Sequence, residues 1–174
     1  IGSHLVDHLV KMGDVTVYDN FSSGKREFIK HHEGKKNFYL IEADLLDSRK
    51  ILESIPGHDI VFHLAASPDA RLGIQNTSLD LQQETIATYN LLEAMRLKNL
   101  KKIVFSSSGT IYGEVPVKPI AEDYGPVLPI SLYGAGKVAC EGLISAFCHT
   151  FGMQSWIFRF ANVIGARGTH GVIF

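Results

Sequence analysis

Five short apolar runs separated by helical patterns organise the chain. Val15-Thr16-Val17-Tyr18 and Phe38-Tyr39-Leu40-Ile41 are β-branched or aromatic, Asp59 to Ala66 is nearly unbroken in its hydrophobicity, Ile103-Val104-Phe105 leads into three serines, and Ser155 to Phe160 completes the set. Continuous rather than alternating hydrophobicity suits strands of a parallel sheet covered on both faces. Between them lie helical patterns: Leu5, Val6 and Leu9 in a run that starts within a helix, then Ile86, Leu92 and Met95 facing inward over residues 79 to 98. From Tyr133 onward Cys140, Leu143, Ile144, Phe147, Cys148 and Phe151 recur at three- and four-residue spacing, an inward stripe. Strands alternating with helices predict a doubly wound parallel α/β sheet of the Rossmann kind, one domain over residues 1 to 174. Pro56-Gly57 breaks the chain before the third strand, and Pro116 to Pro129 is a polar, turn-forming loop of the sort that borders a site in such folds.

Composition narrows this picture. With 45% hydrophobic and 20% charged residues and a net charge of -1, the chain has the make-up of a globular domain with a full core, and it carries neither a basic stripe for nucleic acid nor a polybasic membrane patch. No apolar run reaches the ~18 residues of a membrane span. Cys140 and Cys148 lie eight apart on one helix, about 12 Å along its axis, too far for a disulfide. They read as core thiols of a reducing, cytoplasmic compartment. His4 and His8 are one helical turn apart but lack further ligands, so no metal is assigned. His63, inside an apolar strand, reads as a satisfied core histidine.

The candidate chemistry lies at Tyr133 and Lys137. Four residues apart, they project from one helix face, where an ammonium can lower the pKa of a neighbouring phenol. Ser108 ends the fourth apolar run, where open α/β sheets bring side chains to a crevice outside the carboxyl ends of the strands. Asp19 ends the first run, 17 residues after Gly2, close to the offset at which a carboxylate accepts hydrogen bonds from an adenosine ribose.

Ser108, Tyr133 and Lys137 together resemble the catalytic set of the extended short-chain dehydrogenase/reductase family, and within it the NAD-dependent sugar-nucleotide epimerases of the UDP-glucose 4-epimerase kind. The similarity runs through separate motifs from residue 1 to 174. It implies a Rossmann fold, bound NAD, and a nucleotide-sugar substrate epimerised at C4 through a keto sugar, with no nucleic acid or membrane involved; the alternatives are a nucleotide-sugar 4,6-dehydratase or other extended short-chain dehydrogenase, or a dinucleotide-binding protein without catalysis. A homodimer of the full-length protein is left open. Tyr133 is then the base, Lys137 its tuner and a ligand of the nicotinamide ribose, and Ser108 holds the sugar oxygen with Thr110 beside it. Gly2 resembles the last glycine of the pyrophosphate turn. Asp19 and Asn20 fall at the adenosine ribose, where a carboxylate favours NAD over NADP. Asp44 and Leu45 resemble the segment against the adenine, Asp44 being equally placed to cap the next helix. Leu64, Ala65 and Ala66 resemble the family's H-x-A-A/G motif beside the cofactor. Asn162 matches an asparagine on the substrate's phosphate region, or only shapes a turn. Relatives commonly carry asparagine where Glu84 falls, so Glu84 is placed outside the site. The resemblance also implies a first strand and two glycines before residue 1 and substrate-binding elements after residue 174, so that residues 1 to 174 alone are expected to fold poorly and lack activity.

Overall fold

The computed structural model describes residues 1–67, 69, 71–116 and 119–168, which leaves Val117 and Lys118 of the proline-containing loop outside the described residues. All five expected strands form and every pairing is parallel. Val15–Asp19 (β1) pairs with Phe38–Glu42 (β2), Asp19 opposite Glu42. Val61–His63 (β3), Lys102–Ser108 (β4) and Gln154–Phe160 (β5) form a second sheet in that order, with Ser108 opposite Phe160. The run from Asp59 to Ala66 is shorter as a strand than its hydrophobicity suggests. Only Val61–His63 joins a ladder, on one side to β4, so Val61 and Phe62 are half-buried rather than enclosed on both faces.

Gly2–Leu9 (α1) lays Val6 and Leu9 on β1, where Val10, Val15, Ile29 and Phe38 make a small core. Ser48–Ser54 (α2) is capped by Asp47, whose Oδ1 accepts from Lys50 N at 2.9 Å. Asp44 is therefore not the cap of that helix. After two short helices, Leu72–Gln75 (α3) and Ser78–Asp80 (α4), the chain passes through a π-helical segment, Leu81–Ile86, into Ala87–Leu97 (α5). The wider turn changes the register. Leu92 and Met95 are buried as their spacing predicts, but Ile86 is 42% exposed, contrary to the 3.6-residue pattern. Leu132–Phe151 (α6) starts at Ser131, whose Oγ accepts from Gly134 N at 3.0 Å, and ends at Gly152, left-handed at φ +63.

The main core unites Ile51, Leu91, Leu92, Met95, Ile103, Phe105, Cys140 and Ile144 from α2, α5, β4 and α6, with Tyr18 of β1 and Leu45 packed against it. Two polar links tie the sheets together. Asn90 Nδ2 on α5 donates to Leu45 O at 3.0 Å beyond β2. His58, ahead of β3, stands 3.0 Å by Nδ1 from Ile55 O and 2.8 Å by Nε2 from Thr16 Oγ1 of β1. Since the carbonyl can only accept, Nδ1 carries the proton and Nε2 accepts from the threonine.

Leu92 and Ile86 together test the register of the π-helical segment. Leu92→Ala in the full-length protein is expected to lower unfolding free energy by about 2 to 5 kcal/mol, whereas Ile86→Ala costs less than about 1 kcal/mol. Urea melts of both variants measure this; equal losses would mean that Ile86 packs inward after all.

Candidate active site

Lys137 is the buried centre of the site. It is 2% exposed on α6, its Nζ donates to Ser106 O of β4 at 3.0 Å, and it lies 4.9 Å from the Phe105 ring and 5.6 Å from the Tyr133 ring. Tyr133 lies one turn before it, half-buried, on the side of Ser108. Ser108 ends β4 and caps the 3-10 turn Gly109–Tyr112. Its Oγ accepts from Thr110 N at 3.2 Å and from Thr110 Oγ1 at 3.0 Å. With both acceptor positions used, the remaining hydroxyl proton of Ser108 is free to donate. The three residues expected to act together are thus brought together.

Their electrostatics differ from the expectation. The Tyr133 phenol is held above its ordinary value, first by burial and then by the Glu84 carboxyl, against which Ser108 works in the lowering direction. Lys137 is pushed down by burial and held up by Glu84. Glu84, placed outside the site on sequence grounds, stands inside it: the π-helical segment turns it toward α6, where it is 1% exposed. Its Oε2 occupies the place where a side chain on Gly136 would begin. Burial raises the Glu84 carboxyl, with Lys137 opposing and Asp80 adding to the rise. Asp80, one turn earlier and also 1% exposed, is raised by burial and eased by Ser67 without a hydrogen bond closing between them. The signal for this in the sequence is a glycine, Gly136, at a buried position of α6 beside Lys137. Such a position admits a close neighbour, but a glycine does not say which.

A second network fixes the frame. Arg159 of β5 grips Glu141, one turn beyond Lys137, through Nε to Oε1 at 3.1 Å and Nη2 to Oε2 at 2.8 Å. Its Nη1 donates to Tyr112 OH at 2.8 Å and Glu122 O at 2.7 Å, and Ser107 Oγ donates to the same Glu141. β4, β5, α6 and the loop after Tyr112 are thereby locked around the serine and the tyrosine. His63 Nε2 lies 2.8 Å from Thr88 Oγ1, and burial holds the ring neutral by pushing it down to about 3.

The residues expected around a dinucleotide sit at the ends of β1, β2 and β3. Asp19 Oδ1 accepts from Phe21 N at 2.8 Å, and Oδ2 faces the side where Gly24 lacks a side chain, which leaves an oxygen open to a diol. Asn20 Nδ2 donates to Asp44 Oδ2 at 2.7 Å, while Asp44 Oδ1 accepts from Leu46 N at 2.8 Å, so these two side chains brace β1 against β2. Leu64, beyond β3, lies beside Gly2: a side chain there would stand 3.7 Å from Leu64 Cδ1, an ordinary contact, so protein packing does not itself demand this glycine. Ala65 is exposed and Ala66 half-buried. Asn162 is exposed two residues beyond the end of β5, and Thr110 is exposed beside Ser108. An open carboxylate, small residues and free hydroxyls along the strand ends fit a dinucleotide with unphosphorylated ribose.

Elsewhere, Asp7, His31 and His32 gather donor atoms of the kind a metal takes. Lys35 donates to His32 Nδ1 at 2.8 Å, so His32 Nε2 carries its proton and donates to Asp7 Oδ1 at 2.6 Å. Arg167 pairs with Asp7 Oδ2 at 2.8 Å. His32 first, with Arg167 and His31, holds the Asp7 carboxyl well below the usual carboxylate range. With two resident cations, this cluster is a hydrogen-bonded hub joining α1 to the segment between β1 and β2. His4, exposed on α1, bonds through Nε2 to Ala166 O at 2.9 Å.

A family model described as the NAD dependent epimerase/dehydratase family matches residues 1–173. A UDP-glucose 4-epimerase of Mycolicibacterium smegmatis is 35% identical over 99% of this chain and 57% of its own length. A solved UDP-galactose 4-epimerase is 41% identical with a TM-score of 0.87, covering 98% of this chain and 55% of that one. The UDP-N-acetylglucosamine 4-epimerase of Methanobrevibacter ruminantium, solved with UDP-N-acetylmuramic acid, is 35% identical with a TM-score of 0.88, over 94% of this chain and 52% of that one. Nucleotide-sugar decarboxylases are among the relatives too. The chain spans about half the length of the relatives it matches.

The cap of α6 supports both Tyr133 and Lys137, so its loss is measurable. Ser131→Ala is expected to cost about 1 kcal/mol of unfolding free energy, and Ser131→Asp to recover most of it. Denaturant melts of the two variants check this; no loss on Ser131→Ala would show that packing alone starts the helix.

Proposed function

Because the chain belongs to the NAD-dependent epimerase/dehydratase family, we propose that the full-length protein interconverts the C4 epimers of a nucleotide hexose, of the UDP-glucose and UDP-galactose type, through a transient 4-keto sugar. The observation that carries the choice of reaction is the pair following Ser108. Gly109 and Thr110 supply a hydrogen-bonded hydroxyl and no carboxyl group. Elimination of water from C5 and C6, the chemistry of a 4,6-dehydratase, needs a carboxyl acid and a second base beside the keto sugar. A hydroxyl orients the sugar without promoting that step, which leaves reversible oxidation at C4.

In this reading the Tyr133 phenolate takes the proton of the sugar hydroxyl and later returns it. The Tyr133 phenol, held above its ordinary value by burial and Glu84, has to be drawn down for this, and the Lys137 ammonium, with the cationic nicotinamide of bound NAD, would supply the positive charge. Bound NAD supplies the hydride acceptor and donor. Ser108, with its acceptor positions filled by Thr110, offers its one proton to the sugar oxygen. Lys137 holds the nicotinamide ribose; Asp19 takes the adenosine ribose and repels a 2′-phosphate, with Asn20, Asp44 and Leu45 toward the base. Gly2, Leu64, Ala65 and Ala66 admit the cofactor backbone, and Asn162 contacts the nucleotide sugar. The exposed apolar residues Tyr89, Leu97 and Phe151 on α5 and α6 support a homodimer of the full-length protein. Free Cys140 and Cys148 accord with a reducing cytoplasm.

Incubation of the full-length protein with UDP-, dTDP- and GDP-hexoses, followed by separation of products, tests the reading. Interconversion of C4 epimers is expected; release of a 4-keto-6-deoxy sugar without it would overturn the assignment. Tyr133→Phe should lower kcat by roughly 10² to 10⁴ with modest change in substrate binding, and near-normal turnover would exclude Tyr133 as the base. Asp19→Ala should weaken NAD and relax discrimination against NADP in direct binding measurements. An unmoved ratio would leave Asp19 a turn residue.

A further inference from the structure

Glu84 and Asp80 are buried carboxyls without hydrogen-bond partners. Each is 1% exposed, and none of their four oxygens is matched by a donor. A buried carboxylate so placed is costly unless an opposite charge or a proton satisfies it. The opposite charge at hand is the Lys137 amine, itself buried and bound to a single carbonyl, Ser106 O. The chain accommodates this arrangement in two ways. The helix widens to a π turn over Leu81–Ile86, a distortion concentrated at functional sites. Gly136, next to Lys137, leaves out the side chain that would collide with Glu84 Oε2, and Gly73 does the same for Asp80 Oδ2.

We propose that Glu84 is a positioning residue of the Tyr133–Lys137 pair, its buried carboxyl acting through space on the Lys137 amine and so governing the ionisation of both Lys137 and Tyr133. This rests on the reading of Tyr133 as the base. The groups facing Glu84 are Asp80 on its own helix and Tyr133, Lys137 and Cys140 on α6, with His63 of β3 beyond Lys137. His63 is held neutral by burial, and the Cys140 thiol is pushed up to about 11, so neither changes charge between about pH 5 and 9. Glu84, Asp80, Lys137 and Tyr133 remain. The direction follows: a carboxylate raises the ionisation pH of a phenol by repelling phenolate and that of an amine by favouring ammonium. Replacing it with an uncharged isostere moves both to lower pH.

The test uses full-length protein and the ultraviolet tyrosinate band of Tyr133, obtained by subtracting the titration of the matching Tyr133→Phe protein. Glu84→Gln is expected to shift this titration by about one pH unit downward, and Glu84→Asp to stay near the parent. In the pH dependence of epimerisation, both limbs of the bell should move to lower pH in Glu84→Gln. Coincident tyrosinate titrations in parent and Glu84→Gln overturn the proposal, as does a uniform loss of rate with both limbs unmoved. Absence of epimerisation with a shifted tyrosinate titration would instead reject the functional reading and keep the proposal. If Glu84→Gln does not fold, carbon-13 NMR of the parent decides: the Glu84 carboxyl must titrate well above the ordinary ~4.3 and in step with Tyr133. A single ordinary glutamate titration overturns it.

Discussion

Burial of the Lys137 amine is the constraint on which the rest of the site depends. Removing an ammonium from water costs several kcal/mol even after relaxation, and the fold offsets this with a carbonyl at 3.0 Å, an aromatic face at 4.9 Å and a carboxyl across the helix contact. Each compensation comes from a different element. The carbonyl and the ring need β4 to run on past Phe105 to Ser106, and the carboxyl needs the π-helical segment to approach α6 closely. Gly136 makes that approach possible, while Gly134 admits other neighbours: a side chain there would stand 2.9 Å from Pro129 Cβ and 3.0 Å from Thr110 O. Two sides of the same helix turn therefore admit close neighbours, one the loop ahead of α6 and the turn after Ser108, the other Glu84.

The orientation of Ser108 follows from the turn that succeeds it. Because the chain bends immediately into Gly109–Tyr112, the serine hydroxyl is committed as an acceptor to Thr110 and keeps only its proton to give. Rigidity for this geometry comes from Arg159, whose guanidinium is shared among a carboxylate on α6, a phenol at the end of the turn and a carbonyl in the loop. A planar, multiply bonded arginine holds three segments at fixed angles in a way a lysine could not. Glu141 lies four residues beyond Lys137, so the clamp acts on the same helix, one turn past the amine.

Much of this was legible in the chain. Strand and helix alternation predicts all five parallel strands, and the four-residue spacing of Tyr133 and Lys137 with Ser108 at a strand end marks a candidate site whose three residues the fold brings together. What was not legible depended on departures from regular geometry. Ile86 was assigned inward on a 3.6-residue repeat, and a π turn rotates it to solvent. A glutamate where relatives commonly carry asparagine points away from a site role for Glu84, and the same turn rotates it against α6 beside Lys137. The expectation that Lys137 draws Tyr133 down followed from spacing alone. It did not include burial of both groups or a carboxyl reached only through tertiary packing. The Asp59 to Ala66 run shows the same limit for a strand: hydrophobicity marked a buried path but not how many of its residues would find a ladder partner.

The acidic pair behind Lys137 also explains why a fold would tolerate unpartnered carboxyls in its interior. Two carboxyls one turn apart in a dry environment do not both ionise at low cost, because each charge repels the other as well as losing its hydration. Keeping one of the two carboxyls protonated lowers that cost, and the buried Lys137 amine opposes the rise of the Glu84 carboxyl. A cation entering near Tyr133 favours the carboxylate, the carboxylate favours ammonium at Lys137, and ammonium favours phenolate. These preferences run in sequence from the buried end of the site to its open end. An asparagine in place of Glu84 would satisfy the interior more cheaply, but it does not ionise; the buried carboxyl costs stability and places a titratable charge beside Lys137 and Tyr133.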